Sequence, residues 1–393
     1  MKKIKVICIL VVFLFGSANL FSKKLPLHLY MPVGYINDRD SALVYCEAGN
    51  LKMNEKEYRE AIVCFTKAIE RDSLLVSAYL NRALAKNKLM DYNGALADYK
   101  QLLQLKLSWE ESYEVYFNRG LTLALLENLK EAMADFNYAI RLNPEFAEAY
   151  YNRSILKGKI GDLQGELIDI NKVIYLKSND ADAYNSRGIL KSKQGNYYDA
   201  VKDFSRAITF DSMNAHFYFN RALIYYAIDE YRASLSDYDM ALQINPDAET
   251  YTRRANVKSK LKDFKGAFND LTNAIEMDSN YYVAYVNRGY LKFDLKDYKS
   301  AIEDYTLALK IRPDYSLAYY DRGLARGVLK DYAGEIADYT KAIEFKPDYE
   351  NAYTRRGLAK YVAGDKTGGC QDLNQAVRLG SDFAYNNLLQ YCK

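Results

Sequence analysis

The segment YNSRGILKSKQGNYYDAVKDFSRAITFDS, residues 184–212, carries its apolar side chains at three- and four-residue spacings, in two stripes with a turn between them. The first stripe is Tyr184, Ile189 and Leu190; the second is Ala200, Phe204, Ala207 and Ile208; Gly195 and Asn196 stand between. Spacing of this kind gathers side chains on one side of a helix, and Gly with Asn supplies a turn, so the segment reads as a helical hairpin.

Outward from residue 184 in both directions the same pattern returns. A Tyr-x-Asn-Arg-Gly phrase recurs about every 34 residues, and each Arg is answered sixteen residues later by an Asp. The pairs are Arg82 with Asp98, Arg119 with Asp135, Arg153 with Asp169, Arg187 with Asp203, Arg221 with Asp237, Arg254 with Asp270, Arg288 with Asp304, Arg322 with Asp338 and Arg356 with Asp372. An upstream copy has Ala48 and Cys64 at the two places, so cation and anion disappear together, which implies contact. The Arg-to-Arg steps are 37, 34, 34, 34, 33, 34, 34 and 34 residues; the long step holds an insertion near Lys106 to Ser112 and the short one falls at Asn245 to Thr250. A fixed period of this length marks units that bury their apolar faces by stacking on one another. The predicted fold is all-α, an α-solenoid of about ten antiparallel helix hairpins.

No Gly, Pro or Ser-rich linker interrupts residues 42 to 380, which read as one continuous array, and the formal charge of +3 is spread with both signs interspersed. That excludes a nucleic-acid footprint. The amino terminus differs. Lys2, Lys3 and Lys5 precede an apolar run from Val6 to Phe15, followed by Gly16, Ser17 and Ala18. This is the layout of a signal peptide over residues 1–22, and the run is well short of the roughly 20 residues that span a bilayer. The expectation is export, periplasmic or secreted, with no membrane span after signal removal; an uncleaved signal anchor is the alternative. Residues 23–41, with Pro26, Pro32 and Gly34, read as an irregular leader, and residues 381–393 as a capping helix whose Phe383, Tyr385, Leu388, Leu389 and Tyr391 cover the last repeat.

Small residues stand at two matched places in the repeat. Just after the Arg come Gly49, Ala83, Gly120, Ser154, Gly188, Ala222, Ala255, Gly289, Gly323 and Gly357. Thirteen after it come Ala61, Ala95, Ala132, Ala200, Ser234, Ala267, Ala301 and Gly369, with Glu166 and Glu335 as exceptions. Twenty-five after it stands Pro or Ser in all but one copy: Pro144, Ser178, Ser212, Pro246, Ser279, Pro313, Pro347 and Ser381. Pro cannot continue a helix and Ser can cap the next. An aromatic, a small residue four later, then Tyr, Ala, an aromatic, Ala and Pro at these offsets resembles the tetratricopeptide repeat family, and ten copies cover residues 42–380. The resemblance implies a right-handed superhelix with a concave groove that binds peptides or protein surfaces, and a non-catalytic role. Arg stands where many members carry Leu. The Lys, Asn and Arg set with which some members hold the acidic tails of chaperones is not reproduced, although Arg253 and Arg355 each match one corner.

Sixteen residues across a hairpin place an Arg and an Asp at one level on facing helices, within reach of a two-pronged hydrogen bond, so these pairs read as structural. The cysteines are read by the same symmetry. Cys46 and Cys64 are centred on the turn Met53 to Glu57, and Cys370 and Cys392 on Gly380 to Asp382, so both pairs are expected as disulfides in an oxidising compartment, with buried free thiols as the alternative. Cys8 lies in the signal.

Catalysis finds no motif: His28 and His216 are the only histidines, and there is no phosphate-cradling Gly loop, metal-spaced His and Cys set or Ser nucleophile signature. No cofactor or metal is called for. Function is therefore placed on the inner row just before each Arg: Asn81, Asn118, Asn152, Ser186, Asn220, Arg253, Asn287, Asp321 and Arg355, with Phe117, Tyr151, Phe219, Tyr226, Tyr290, Phe293 and Tyr320 beside it. An amide both donates and accepts, and with aromatics it suits an extended peptide or a partner helix. The expected function is a protein-binding scaffold in assembly of an envelope or secreted complex; the alternative is a module for a cell-wall glycan stacking on the aromatic row. Partner identity and oligomeric state are not written in the chain.

Overall fold

The computed structural model describes residues 38–392, and among them every regular element is an α-helix. Cys8, His28, the expected signal peptide and most of the expected leader lie outside the described residues. The first helix begins at Asp38, so residues 38–41 of that leader are helical.

The chain divides into two units, ending and beginning at Asn196 and Tyr197. Unit 1 holds α1 Asp38–Asn54, α2 Tyr58–Arg71, α3 Val76–Lys88, α4 Tyr92–Leu102, α5 Trp109–Leu125, α6 Leu129–Leu142, α7 Ala147–Lys159, α8 Leu163–Leu176 and α9 Ala181–Lys193. Unit 2 holds α10 Tyr197–Phe210, α11 Ala215–Ala227, α12 Tyr231–Ile244, α13 Ala248–Lys260, α14 Phe264–Met277, α15 Tyr282–Asp294, α16 Tyr298–Ile311, α17 Ser316–Val328, α18 Tyr332–Phe345, α19 Glu350–Val362, α20 Lys366–Arg378 and α21 Asp382–Tyr391. Within each unit the helices pack on their sequence neighbours, hairpin upon hairpin, as an α-solenoid does.

Each hairpin turns at a residue in the left-handed region, eight positions after the Arg place. Gly161, Gly195 and Gly364 serve there without strain, but Lys56, Met90, Glu127, Asp229, Lys262, Lys296 and Lys330 hold the same conformation with φ of 58–65°. The next residue is an Asp in most copies, and its carboxylate opens the second helix: Asp91 accepts from Gly94 N–H at 2.9 Å and Asp365 from Gly368 N–H at 2.8 Å. Of the punctuating serines, Ser381 is an N-cap, accepting from Ala384 N–H at 3.2 Å. Ser178, Ser212 and Ser279 are not; the next helices start later and are preceded by Asp180, Asn214 and Tyr281.

The core repeats with the sequence. Behind the Asp place, which Cys64 holds in the first hairpin, the next residue is a large buried side chain: Phe65, Tyr99, Phe136, Phe204, Tyr238, Tyr305 and Tyr339 are all at most 1 % exposed. Such a ring fits because the facing position is small; a Cβ on Gly289 would stand 2.8 Å from the Tyr305 ring.

The arginines hold more than one neighbour. In the eight pairs that lie within a single unit, Nε and Nη2 donate to the two oxygens of the Asp at 2.6–3.1 Å. Those aspartates are at most 6 % exposed. The remaining nitrogen, Nη1, reaches back to the previous hairpin: Arg82 donates to Thr66, Arg153 to Asn137, Arg221 to Ser205, Arg322 to Thr306 and Arg356 to Thr340, at 2.7–3.1 Å. Arg254, after the short junction, uses Asp239, fifteen residues before it rather than sixteen. One guanidinium thus staples three helices, and the tyrosine three residues before it lies under its face, as Tyr150 does under Arg153 at 5.4 Å. Arg187 belongs to unit 1 and Asp203 to unit 2.

The cysteines divide. Cys370 on α20 is joined to Cys392, just past α21, with Cα atoms 5.7 Å apart. The expected Cys46–Cys64 bridge is absent, and both thiols are free. Cys64 occupies the Asp place, whose opposite number is Ala48; Cys46 is two residues away, which on a helix is about half a turn. Its buried Sγ faces Ser77 Oγ of α3 at 3.6 Å instead.

Candidate functional site

The row ahead of the paired arginines sits on the first helix of each hairpin, and the structure distinguishes its members. Asn118, Asn152 and Asn287 each donate Nδ2 to the carbonyl four residues back on their own helix, at 2.8, 2.9 and 3.0 Å. The bond fixes the side chain and leaves Oδ1 as an acceptor. Asn81 instead donates to Asn50 Oδ1 of α1 at 2.8 Å, and Tyr151 of α7 meets Ser186 of α9 at 3.2 Å, so part of the row is spent on joining successive hairpins. Asn220, half-buried on α11, also has a partner.

The aromatic members are largely structural. Phe117 is 3 % exposed, wedged between Phe136 and Phe146 with ring centroids 5.8 and 4.7 Å away, and cannot line a ligand face. Phe219 packs edge-on against Tyr238 at 5.7 Å, Tyr226 against Tyr231 at 5.6 Å, and Phe293 against Tyr298 at 5.2 Å. Tyr320 lies against Tyr339 and Tyr349 at 5.6 and 5.0 Å and is half-buried. Tyr290, by contrast, stands 56 % exposed on α15. Both row arginines are exposed: Arg253 donates to Glu249 Oε1 at 3.0 Å, and Arg355 lies over the Phe383 ring at 5.8 Å.

Two features escaped sequence reading, and a third, the pair of glutamates at small-residue places, was marked there and gains its setting here. The charge of Asp294, with partial burial and the charge of Asp321, pushes the Tyr290 hydroxyl up, and the signal for Asp294 was a change of charge in an otherwise neutral or basic row, as Asp321 marks one in the ligand row. Asn87 is buried with Nδ2 on Thr122 at 2.8 Å and Oδ1 unpartnered among the described residues. Glu166 and Glu335, set at small-residue places, each lie against a glycine of the facing helix: a Cβ on Gly158 would stand 2.8 Å from the Glu166 carboxylate, and one on Gly327 would stand 2.6 Å from that of Glu335. Five residues after the Arg, glycine occurs in these two repeats only, so the repeats already recorded the accommodation. Burial pushes both carboxyls up from the ordinary range. The two belong to different units.

His216 is an exposed residue in the first turn of α11. Among the described residues no group of three or more His, Cys, Asp or Glu is placed to hold a metal ion, and no helix is long and apolar enough to cross a membrane.

Four family models match the chain, under the descriptions "Tetratricopeptide repeat" and "TPR repeat", over residues 42–73, 113–146, 191–229, 248–281 and 282–315. Among curated proteins it is similar to human sperm-associated antigen 1, 28 % identical over 113 residues, and to human RNA polymerase II-associated protein 3, 32 % identical over 107 residues. These matches take in 29 % and 27 % of this chain but only 12 % and 16 % of the relatives' lengths. Among solved structures it is similar to a tetratricopeptide repeat protein from Parabacteroides merdae, with a TM-score of 0.48 and 20 % identity, covering 64 % of this chain and 98 % of that one.

Proposed function

We propose that this chain, which belongs to the tetratricopeptide repeat family, is a non-enzymatic scaffold that holds a protein partner along the row just ahead of its paired arginines. Members of the family mediate protein–protein interactions. The observation that carries the reading is the fixed, half-used amide: Asn118 in unit 1 and Asn287 in unit 2, both half-buried, bond Nδ2 internally and keep Oδ1 as an acceptor at equivalent places of their hairpins, as does the more deeply buried Asn152. Acceptors at repeat spacing suit the N–H groups of a peptide chain or a helix end, and the exposed Arg253, Tyr290 and Arg355 supply anchors of the kind that dominate protein interfaces.

The residues around Val6–Phe15 support export, and with it assembly of an envelope or secreted complex. Export places Cys370 and Cys392 where their bridge persists.

The test is a photo-crosslinking residue introduced at Tyr290, with one at exposed Tyr175 on α8 as control. Adducts to a protein in envelope extract at residue 290 and not at 175 support the reading. Equal labelling at both, or retention on isolated cell-wall polymer without any protein adduct, overturns it in favour of the glycan alternative.

A further inference from the structure

The long step ahead of Arg119 is taken up partly as helix. The other first helices that carry a paired Arg start six residues before it, whereas α5 starts ten before Arg119, so residues 109–112 are an added turn. Trp109, the only tryptophan of the chain, opens that turn and is 59 % exposed. Its ring lies 5.9 Å from Tyr113, Tyr113 lies 5.1 Å from Phe146, and Phe146 lies 4.7 Å from buried Phe117. The rings therefore step from the core out to solvent, and the ladder backs the tryptophan without covering it. Insertions in repeat arrays gather on one face, often the binding face, and tryptophan is enriched among the residues that dominate interfaces.

The strip of α5 beside these rings is acidic. Glu110 and Glu114 stand one turn apart on it, a like-charge spacing that weakens a helix taken alone. The helix N-terminus offsets this for Glu110 and Glu111, which lie in the first turn, but Glu114 lies beyond it. Glu114 is half-buried and makes no ion pair among the described residues; burial, with the charges of Glu110 and Glu111, pushes its carboxyl up from the ordinary range. Glu111 is used in the capping box, and the cation nearest in the next hairpin, Lys177, holds Glu148 at 2.6 Å. A neutral partner laid on the rings would strip water from these carboxylates and give nothing back. A basic one relieves them: ring faces attract its cation, its aliphatic stem covers apolar surface, and the carboxylates accept charge-assisted hydrogen bonds.

We propose that Trp109 and Tyr113, edged by Glu110 and Glu114, form a docking surface for a basic segment of the protein partner. The inference rests on the partner-binding reading above and adds an anchor ahead of Asn118 on the same helix, together with its charge. A random twelve-residue peptide library without tryptophan, displayed on phage and selected on the full chain, tests it, because Trp109 is then the only tryptophan when a selected peptide is synthesised and titrated. The expected peptides carry Lys or Arg, shift the tryptophan emission as they bind, and lose at least tenfold in affinity when that residue is changed to Gln. Trp109→Ala, and the joint variant Glu110→Gln with Glu114→Gln, should each weaken binding at least tenfold by calorimetry, with melting curves measured alongside. If a variant fails to fold, the natural chain still decides: a basic peptide that binds without moving the emission, or that loses nothing on the change to Gln, overturns the surface. Selected peptides without a basic preference, or held equally by the natural chain and Trp109→Ala, overturn the surface and leave the scaffold reading standing. No selected peptide at all overturns both.

Discussion

Arginine 221 shows how much one side chain holds. It grips both oxygens of Asp237 at 2.7 Å and reaches Ser205 at 2.8 Å, and the aspartate it holds is 5 % exposed. In six of the eight repeats whose pair lies within one unit, the same Asp has a second cation four residues after the first: Lys86, Lys157, Lys258, Lys292, Arg326 and Lys360. Arg221 has Tyr225 there, so no second charge stands behind it. Removing one partner of a buried pair strands the other, at a cost of about 3–5 kcal/mol. Arg221→Leu should therefore cost more in chemical denaturation than Arg322→Leu, because Arg326 still holds Asp338 at 2.9 Å. The joint change Arg221→Leu with Asp237→Leu should recover most of the loss. Equal losses for the two single variants, or no recovery in the joint one, would show that neither burial nor the second cation matters. The pairing of Arg with Asp was legible because both vanish together in the upstream copy; the backward bond to Thr66, Asn137 or Ser205 was not. Those acceptors vary in type and share only hydroxyl or amide oxygen, so no fixed letter marks the place.

At the scale of the helix pair, two periodicities made the array readable, and the turns show what periodicity omits. Gly195 marks its turn openly, whereas Lys296 and Lys330 adopt the same left-handed conformation with φ of 65° and 63° because both helices are held by packing. Phase, too, was harder to read than level. Cys46 and Cys64 are symmetric about their turn yet half a helical turn out of register, and Phe117, placed with the ligand row, is in the core. The small-residue notch yields a prediction against the repeat's own consensus. Ala occupies the place thirteen after the Arg in most copies, so Gly369→Ala looks like an improvement, and in an open helix it would gain about 1 kcal/mol. Here, however, α19 and α20 approach backbone to backbone. A Cβ on Gly369 would stand 2.7 Å from the Gly357 carbonyl oxygen, and a carbonyl in a helix cannot swing aside as a side chain does. Gly369→Ala should lower stability by about 1–3 kcal/mol, the usual cost of overpacking. A raised midpoint in urea would refute the close contact.

Across a linear array stability is set junction by junction, because each repeat touches only its neighbours, and the weakest junction opens first. Register points to α4 and α5. The insertion lengthens their connection to residues 103–108, and Arg119, which follows it, has Leu103 where the other arginines, Arg254 with its Asp239 apart, find a hydroxyl or amide sixteen residues back. The consequence is visible in the side chain: Arg119 is 28 % exposed, against 13–18 % for the other arginines whose Asp lies in the same unit. Two local devices offset part of the loss. Leu103, Leu105 and Leu107 pack onto the core of the second hairpin, and α5 starts with a capping box between Ser108 and Glu111. Neither replaces a staple that joins three helices. Under native conditions trypsin should therefore cut first after exposed Lys106, and the amides of residues 103–108 should exchange before those of the other connectors. Lys177 is the internal control, an exposed basic residue in a connector whose neighbouring arginine keeps its backward bond. A first cut there would mean that insertion length does not govern where the array opens, and that the missing Arg119 bond is made good elsewhere in the second and third hairpins.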